Sequence, residues 1–520
     1  MTSPVIEPAR HRGPARHRGA VEEGPPRPID APAALSPLGR RPRRVPLPRL
    51  DVLTRLRWCL PWRLLSCFLL TAPLAALRAP AQEWTRSFSP SQSADQASSL
   101  GGSEVLHLAG HGGRLYAAVG YWQDGGNVLY GGTDPREGWA QILRLDAPGG
   151  EWKIDLELGP GHVRPEVLTS VTFGTDRDGE ALESPVTLLV ACAYATGLSG
   201  TAVHCFVRGE SATEWTKVRV LAGRRGRSGA YSVRDLHVHR DSVTGVDRAF
   251  LTVGTQGIFS GAYDPEIPGS IAWGSEPEFG PLAVRPLGIT SANGSLFFSS
   301  GGRIYRREDG PEPSYLVAHD LSDLAPRIRS EVGGVRGLTA VAAPEGSGES
   351  LLFMWSPDGA AQGEMIRLDR TPEGGFTRHQ EAVLADLIRD YTGASKVQYV
   401  LGAYNDLLAV RSQVTGSSQH LVGLEFRGAG PELPTWERGY YRGALYAVRD
   451  AERRYRIERV GGPDGADEAP LVATRCYAPS PFGEDTAIYF GGHDPNGIRS
   501  TNMAWVYRRS APQPPRGKSD

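Results

Sequence analysis

The sequence predicts an all-β fold, and the spacing of its repeats predicts a β-propeller. From residue 83 onward, short β-branched and aromatic runs alternate with Gly, Pro, Asp and Asn, as in short strands joined by tight turns. The 64 Gly and 41 Pro among 520 residues exceed ordinary usage and suit such turns. Two sequence elements also recur at a spacing of about 60 residues, which fits a four-stranded propeller blade.

The first 81 residues differ from the rest in composition. Residues 1–57 hold twelve Arg, no Lys and many Pro without an apolar period, so we expect a disordered leader or a misassigned translation start. Three arginines then precede the apolar run 64–77, which ends near Ala79-Pro80-Ala81. This layout predicts a signal peptide or an uncleaved signal anchor over 58–81, and hence a secreted, periplasmic or cell-surface protein.

One recurring element predicts the outer strand of each blade. Glu83-Trp84-Thr85, Glu151-Trp152-Lys153 and Glu214-Trp215-Thr216 follow one another at spacings of 68 and 63 residues. Similar strands are expected around four later aromatic residues: Trp273, Tyr315, Phe376 and Tyr455. From Trp84 to Tyr455, six steps cover 371 residues, or about 62 per repeat.

The two ends of the repeat region complement each other. The segment 471–509 contains three predicted strands, whereas 83–88 reads as an outer strand that lacks its first three. Pairing them would close a propeller over 83–509 and remove an exposed sheet edge, leaving 510–520 as a disordered tail. We count seven blades, with six or eight as alternatives because 396–460 can be divided differently.

Helical periodicity is almost absent. The exception is 379–391, where Val383, Leu384, Leu387, Ile388 and Tyr391 fall on one face of a predicted amphipathic helix.

Two segments carry a family resemblance. Residues 129–135, Leu-Tyr-Gly-Gly-Thr-Asp-Pro, and 488–495, Ile-Tyr-Phe-Gly-Gly-His-Asp-Pro, resemble the aromatic-plus-Gly-Gly strand end of kelch-type propellers. The resemblance covers two of the seven repeats and implies architecture only, because such folds host binding proteins and oxidases alike.

Three cysteines follow the predicted signal peptide: Cys192, Cys205 and Cys476. This number excludes a disulfide-rich scaffold. The apolar runs 186–193 and 202–207 flank the turn-like segment 196–200, and a hairpin there places Cys192 opposite Cys205. A cross-strand disulfide and a pair of small buried hydrophobes both remain open, with Cys476 left unpaired.

A second recurring element predicts a ring of arginines. Val163-Arg164-Pro165, Val233-Arg234-Asp235, Val284-Arg285-Pro286 and Val335-Arg336-Gly337 each open a strand, with Lys396 and Arg475 as looser matches. In a propeller these positions meet at one channel mouth, where guanidinium groups would bind carboxylate or phosphate. The alternative is that each Arg pairs with a carboxylate of a neighbouring blade, such as Glu104, Glu166 or Asp235.

The second candidate site is a metal centre. Strand alternation places Asp235, His237 and His239 on one face, and a His-x-His pair with a carboxylate can hold a divalent metal. His107, His111 or His493 would have to join them, since no fourth ligand is evident. The alternative is a set of hydrogen-bonded histidines between blades.

The third candidate site joins the Asp-Pro loops of the first and last blades. Ring closure would gather polar and aromatic groups in one sector: Tyr130, Asp134, His493, Asp494, Asn496, Arg499 and Asn502. Such a set suits sugar or peptide recognition, but Gly-Gly-x-Asp-Pro is also ordinary turn chemistry.

The composition and the absence of several known motifs argue against several classes of function. A net charge of -1 argues against nucleic-acid partners, and no Gly-rich phosphate loop, nucleophile elbow or His-Glu-x-x-His occurs. We expect an exported propeller that binds an anionic ligand, a glycan or a protein at its channel mouth, with a membrane contact only through an uncleaved anchor. The alternative is a metal-assisted lyase or hydrolase acting on an acidic glycan.

Overall fold

A computed structural model describes the repeat region with short gaps. The described residues are 83–89, 102–120, 139–197, 200–223, 230–267, 270–325, 333–344, 346, 348–357, 362–402, 407–412, 416–435, 439–461, 471–484, 486–493 and 504–510. All of them belong to one compact unit, Ala75–Asp520. Among these residues, no helix combines the length and apolar character needed to cross a bilayer.

The described chain is built of strands with a single α-helix. In chain order the strands are β1 (Glu83–Phe88), β2 (Glu104–His111), β3 (Arg114–Gly120), β4 (Gln141–Leu145), β5 (Lys153–Glu157), β6 (Val167–Thr175), β7 (Ala181–Gly197), β8 (Gly200–Gly209), β9 (Thr216–Gly223), β10 (Val233–Arg240), β11 (Asp247–Val253), β12 (Gly257–Asp264), β13 (Ser270–Trp273), β14 (Pro286–Ala292), β15 (Ser295–Ser300), β16 (Arg303–Glu308), β17 (Ser314–Asp320), β18 (Gly334–Ala342), β19 (Glu349–Ser356), β20 (Glu364–Arg370), β21 (Phe376–Val383), β22 (Lys396–Gly402), β23 (Leu408–Arg411), β24 (Ser418–Ala429), β25 (Leu445–Arg449), β26 (Tyr455–Arg459), β27 (Ala473–Pro479), β28 (Ile488–His493) and β29 (Trp505–Ser510). The helix is α1 (Leu384–Thr392), and a 3₁₀ turn covers Gly254–Gln256.

The strands form repeated four-stranded antiparallel sheets, which confirms the all-β prediction. Four sheets take consecutive strands in chain order: β6–β9, β10–β13, β14–β17 and β18–β21. The remaining strands belong to one larger sheet, in which β2–β5 form a further antiparallel run and β24–β26 another. The predicted outer strands are the last strands of these runs, at β5, β9, β13, β17, β21 and β26.

The first described strand pairs with the last. β1 runs antiparallel to β29, with Trp84 opposite Arg509, and β29 continues through β28 to β27. The predicted pairing of 83–88 with the C-terminal strands is therefore present. The indole of Trp84 packs on Phe490 and Tyr446, with ring centroids 5.2 and 6.4 Å apart.

The first strands of successive sheets contact one another in series. β27 contacts β2, which contacts β6, and the contacts continue through β10 and β14 to β18. Arg336 on β18 donates from Nε to the carbonyl of Gly402 at the end of β22 over 3.3 Å. β24 contacts β27. Apolar side chains fill the spaces between facing sheets, as in the cluster that joins β6–β9 to β10–β13.

A register irregularity recurs near the start of these first strands. It occurs in six strand pairs: β2–β3, β10–β11, β14–β15, β18–β19, β22–β24 and β27–β28. In β10, two residues, Arg234 and Asp235, stand opposite the single residue Thr252, whose hydroxyl accepts from both backbone N–H groups. This is a β-bulge, which redirects side chains from the regular alternation.

The predicted helix is shorter than its apolar pattern. Residues 379–383 belong to β21, where Val383 pairs with Glu364, and α1 begins only at Leu384. β21 extends to Val383 because the edge of β20 that faces away from β19 has backbone groups that need hydrogen-bond partners. Pairing with β20 overrides the local helical pattern of 379–383.

The two cysteines of the second sheet lie where the hairpin predicts. Cys192 on β7 pairs directly with Cys205 on β8, and both side chains are fully buried. Both are free thiols, as is Cys476. Burial raises the pKa of the Cys192 thiol well above its usual range.

Candidate functional site

The five arginines named by the Val-Arg repeat and its loose match lie close together. Arg234, Arg336 and Arg475 stand near the start of β10, β18 and β27. Arg285 immediately precedes β14, and Arg164 lies three residues before β6. They are near enough that Arg285, Arg164 and Arg336 all lower the pKa of Arg234. Lys396 does not join them: it is exposed at the start of β22, whereas Gly402 at the other end contacts Arg336.

Two of these arginines pair with buried carboxylates: Arg164 with the nearby Glu166, and both Arg164 and Arg475 with Glu104 of β2. Arg164 donates to Glu166 Oε1 over 2.9 Å from Nε and 2.6 Å from Nη2, and its Nη1 lies 3.8 Å from Glu104 Oε1. Arg475 Nη1 donates to Glu104 Oε2 over 2.7 Å. Glu104 and Glu166 are both almost completely buried. For Arg164 and Arg475, the alternative of ion pairs that tie strands together therefore describes the contacts.

Two more arginines contact neutral groups. Arg285 Nη1 donates to Ser232 Oγ over 3.2 Å, and Ser232 in turn donates to Glu166 Oε1 over 2.9 Å. Arg336 is almost completely buried and donates to Gly402. Both also take part in the packing between successive first strands.

Arg234 differs from the other four. Among the described residues its guanidinium has no hydrogen-bond or ion-pair partner, and its Nε is buried without an acceptor. Burial and the nearby Arg285 and Arg164 guanidiniums lower its pKa well below the usual range, and only the Glu166 carboxylate opposes them. That carboxylate is already held by Arg164, Ser232 and the backbone N–H of Val233. Arg234 thus lacks a carboxylate partner of its own within the described part of the chain.

Arg234 lines a cavity of about 190 Å³ between the first strands. The lining residues come from five places in the chain: His107, Leu108, Val167, Leu168, Thr169, Arg234, Asp235, Leu236, Leu407, Leu408, Cys476 and Tyr477. The bulge in β10 explains why consecutive residues Arg234 and Asp235 both reach it. The cavity is smaller than typical pockets for drug-sized ligands, which span roughly 300–1,000 Å³.

His107 contributes a neutral imidazole to the cavity. Its Nε2 lies 2.7 Å from the carbonyl oxygen of Glu166, so the proton sits on Nε2 and Nδ1 is left as an acceptor. Burial lowers the pKa of His107 to about 3, against the raising effect of that hydrogen bond. The ring is therefore uncharged throughout the physiological range.

The remaining polar groups of the cavity are held in part by the backbone. Asp235 accepts from the N–H of Leu236 over 2.8 Å and from the N–H of Ile289 over 2.9 Å. Tyr477 donates from its hydroxyl to the carbonyl of Leu421 over 2.7 Å. Thr169 is partly exposed, and its side chain makes no hydrogen bond to any described residue.

The three residues of the predicted metal site are each engaged in hydrogen bonds within the protein. His237 and His239 do lie on one face of β10, but both rings hydrogen-bond Ser291 Oγ on β14, at 3.0 and 2.9 Å. His239 Nε2 also lies 3.2 Å from Asp309 Oδ2, while Asp235 is held by backbone N–H groups. Within the described ranges no three His, Cys, Asp or Glu side chains are grouped to hold a metal ion. The histidines instead connect neighbouring sheets, because β10 packs directly on β14.

The predicted Asp-Pro site falls largely outside the described residues, since Tyr130, Asp134 and Asp494 all lie beyond them. His493 is described: it is fully buried on β28, opposite Glu104 of β2. Its Nε2 lies 3.6 Å from Glu425 Oε2, and burial lowers its pKa well below the usual range.

Comparisons with known proteins give only distant structural likeness. No protein-family model matches the chain, and no curated protein matches it in sequence. An α-L-arabinofuranosidase from Fusarium graminearum aligns at TM-score 0.36 and 10% identity, over 81% of this chain and 98% of that one. The six-bladed β-propeller lectin of Aleuria aurantia aligns at TM-score 0.29 and 13% identity, over 54% and 78%. The NanB sialidase of Streptococcus pneumoniae aligns at TM-score 0.35 and 9% identity, over 82% and 70%.

These structural neighbours are β-propeller proteins. The kelch-type resemblance of 129–135 and 488–495 stays a prediction.

Proposed function

We propose that this chain is an exported seven-bladed β-propeller that binds a small anionic ligand in its central cavity. The blade number is supported by seven first strands in series, counting β22 and β23 together because both pair with β24. Closure of the ring is supported by the β1–β29 pairing and by the contacts of β27 with both β24 and β2. Export follows from the signal-peptide layout of 58–81.

The proposal that the ligand is an anion depends on Arg234. A guanidinium in a partly desolvated cavity, with no carboxylate partner of its own and with other guanidiniums nearby, is stabilised by a bound anion. Arg164 and Arg475 support the site indirectly, because they engage Glu166 and Glu104 in ion pairs of their own. The enzyme alternative loses its metal ligands, since His237 and His239 are engaged with Ser291.

Calorimetric titration of the purified full-length chain tests this function. Acetate, inorganic phosphate and D-glucuronate are titrated at constant ionic strength into the native protein and into Arg234→Met. We expect at least one of these anions to bind the native chain. The Met variant should weaken that binding by roughly tenfold or more, since charge-assisted hydrogen bonds contribute about 1.5–3 kcal/mol.

The control is Arg303→Met, which removes an exposed arginine on β16 that pairs with Asp320. It should bind the same anions as the native chain. If none of the three anions binds, or if Arg234→Met binds them equally well, the proposed function is wrong.

A further inference from the structure

A chain of hydrogen bonds links an aspartate, a histidine and a serine at the opposite end of β10 from Arg234. Asp309 directly follows β16, and His239 and Ser291 lie near the ends of β10 and β14. Oδ2 of Asp309 is 3.2 Å from His239 Nε2, and Nδ1 of the same ring is 2.9 Å from Ser291 Oγ. A carboxylate, an imidazole and a serine hydroxyl in this order activate the serine as a nucleophile on several unrelated folds.

The hydrogen bonds assign the protons of this chain. An ionised carboxylate only accepts, so Nε2 of the neutral His239 ring donates to Asp309 and Nδ1 is left as an acceptor. The Ser291 hydroxyl therefore donates to Nδ1. His237 Nε2, 3.0 Å from the same oxygen, donates to it, because the hydroxyl has only one hydrogen. Ser291 Oγ thus has a base for its proton on one side and an N–H donor for developing negative charge on the other.

The carboxylate of the chain is held in place by further contacts. The backbone N–H and the hydroxyl of Ser242 each donate to Asp309 Oδ2 over 2.8 Å, and Arg307 Nη1 donates to Oδ1 over 2.6 Å. Burial opposes ionisation of Asp309, but the Ser242 and His239 hydrogen bonds lower the pKa of its carboxyl below the usual value. The side chains of His239 and Asp309 are buried, whereas Ser291 is partly exposed. Solvent therefore reaches the member of the chain that would attack a substrate.

We propose that Ser291, His239 and Asp309 form a second site, separate from the anion site, which hydrolyses esters of short, uncharged acyl groups. Ser291 Oγ attacks the acyl carbonyl carbon while its proton moves to His239 Nδ1. His239 returns this proton to the departing alcohol oxygen as the ester C–O bond breaks, and the acyl group remains on Oγ. A water molecule then loses a proton to His239 and attacks the acyl carbon. The bond to Oγ breaks, His239 returns the proton to Oγ, and the carboxylic acid leaves.

The surroundings of Ser291 favour this class of acyl group. The two described side chains that hydrogen-bond its hydroxyl are imidazoles rather than carboxylates or guanidiniums, so neither provides an ion-pair partner for a charged acyl group. The serine also lies where β14 packs directly on β10. A narrow acyl group reaches such a position more easily than a long one, and acetyl meets both conditions.

Hydrolysis of p-nitrophenyl acetate by the purified full-length chain tests the activity. The native chain should release p-nitrophenolate at least roughly 100-fold faster than Ser291→Ala, because removing the nucleophile of such a chain costs orders of magnitude in rate. Asp309→Asn should lower kcat by roughly tenfold or more with little change in KM, since an amide no longer fixes the tautomer of His239. The matched control is Ser295→Ala, which removes a partly exposed serine of the adjoining strand β15 and should leave the rate unchanged.

Covalent labelling of the native chain gives a test that does not depend on the folding of any variant. Phenylmethylsulfonyl fluoride should sulfonylate Ser291 with loss of fluoride, and peptide mass spectrometry locates the modified residue. Thermal unfolding checks that each variant is folded. If the native chain hydrolyses the acetate no faster than Ser291→Ala, or if Ser291 is not labelled, the inference is wrong.

The length of the acyl group is tested with p-nitrophenyl octanoate. The native chain should hydrolyse it more slowly than the acetate, and an equal or faster rate would contradict the preference for short acyl groups.

Discussion

At the scale of single residues, Arg164 and Arg234 show how the same repeat position serves opposite purposes. Arg164 is held between two buried carboxylates, so its positive charge neutralises negative charges that are shielded from water in the folded chain. Arg234 has no such partner and lies against other guanidiniums. The first arrangement stabilises the folded chain, while the second raises the free energy of the folded chain.

This contrast predicts opposite effects on stability. Arg164→Met should lower the free energy of unfolding by about 3–5 kcal/mol, because it leaves Glu104 and Glu166 short of a cation in the interior. Arg234→Met should raise it by about 1 kcal/mol in the absence of ligand, since it removes a partly buried cation that has no carboxylate partner among the described residues. Urea unfolding of both variants measures the two changes, and destabilisation by Arg234→Met would show that its charge is compensated.

Buried histidines make the fold sensitive to acid. Burial lowers the pKa of His162 and of His420 to about 4, below the value of about 6.5 expected in the unfolded chain. Protons therefore bind the unfolded state first. The stability from these neutral rings is complete above pH 6.5 and is lost as the pH falls toward 4, by up to about 1.4 kcal/mol per pH unit for each ring.

The measurement is urea unfolding at pH 7 and at pH 5. His420→Leu should show a smaller loss of stability between these two values than the native chain, because Leu does not bind a proton. The same loss in both proteins would contradict the assignment for His420.

Some properties of the cavity residues could be predicted from the sequence and others could not. Arg234 was reachable because Val-Arg recurs at strand starts, but the repeat does not distinguish it from Arg164. The two arginines differ because Glu166 pairs with Arg164 and not with Arg234. Glu166 is two residues after Arg164 and 68 residues before Arg234 in the sequence. A clue to His107 was present: Leu106-His107-Leu108 echoes Leu236-His237-Val238, and both histidines bond to the next sheet.

At the scale of elements, strands bounded by turn residues were predictable and their exceptions have tertiary causes. The run 83–88 matches β1 residue for residue, because Ser89 and Pro90 end it locally. The helix prediction over 379–391 was wrong for its first five residues, since the open edge of β20 determines their conformation. The bulges were not predictable from a period-2 pattern, because they insert one residue without changing composition.

Trp84 tests the importance of the β1–β29 pairing. Its ring contacts Phe490 and Tyr446, and the Arg509 guanidinium lies over it at 6.0 Å. Trp84→Ala should lower the free energy of unfolding by about 2 kcal/mol or more, toward the lower end for truncating an aromatic side chain because Trp84 is partly exposed.

Tyr391→Ala serves as the control for Trp84→Ala. Tyr391 lies on α1 with 43% of its surface exposed, so the substitution should have a much smaller effect. Equal losses, measured by chemical unfolding, would mean that β1 contributes little.

At the scale of the whole repeat region, the repeated sheets could be predicted from the sequence, whereas the cavity could not. Seven outer-strand elements and two complementary ends were enough to predict the repeated sheets and the meeting of 83–88 with the C-terminal strands. The cavity was not predictable, because its lining combines residues as far apart as His107 and Tyr477. Its charge depends on which carboxylates lie within reach of Arg234, and sequence spacing does not give that distance.

The Glu104–Arg475 ion pair joins positions 371 residues apart. Synthesis proceeds from the N-terminus, so β2 emerges long before the cation that neutralises its carboxylate. A product that stops short of residue 470 would keep Glu104 without Arg475 and β2 without β27, and cellular proteases would degrade it readily. The folded environment of Glu104 therefore depends on a strand that is made near the end of the repeat region.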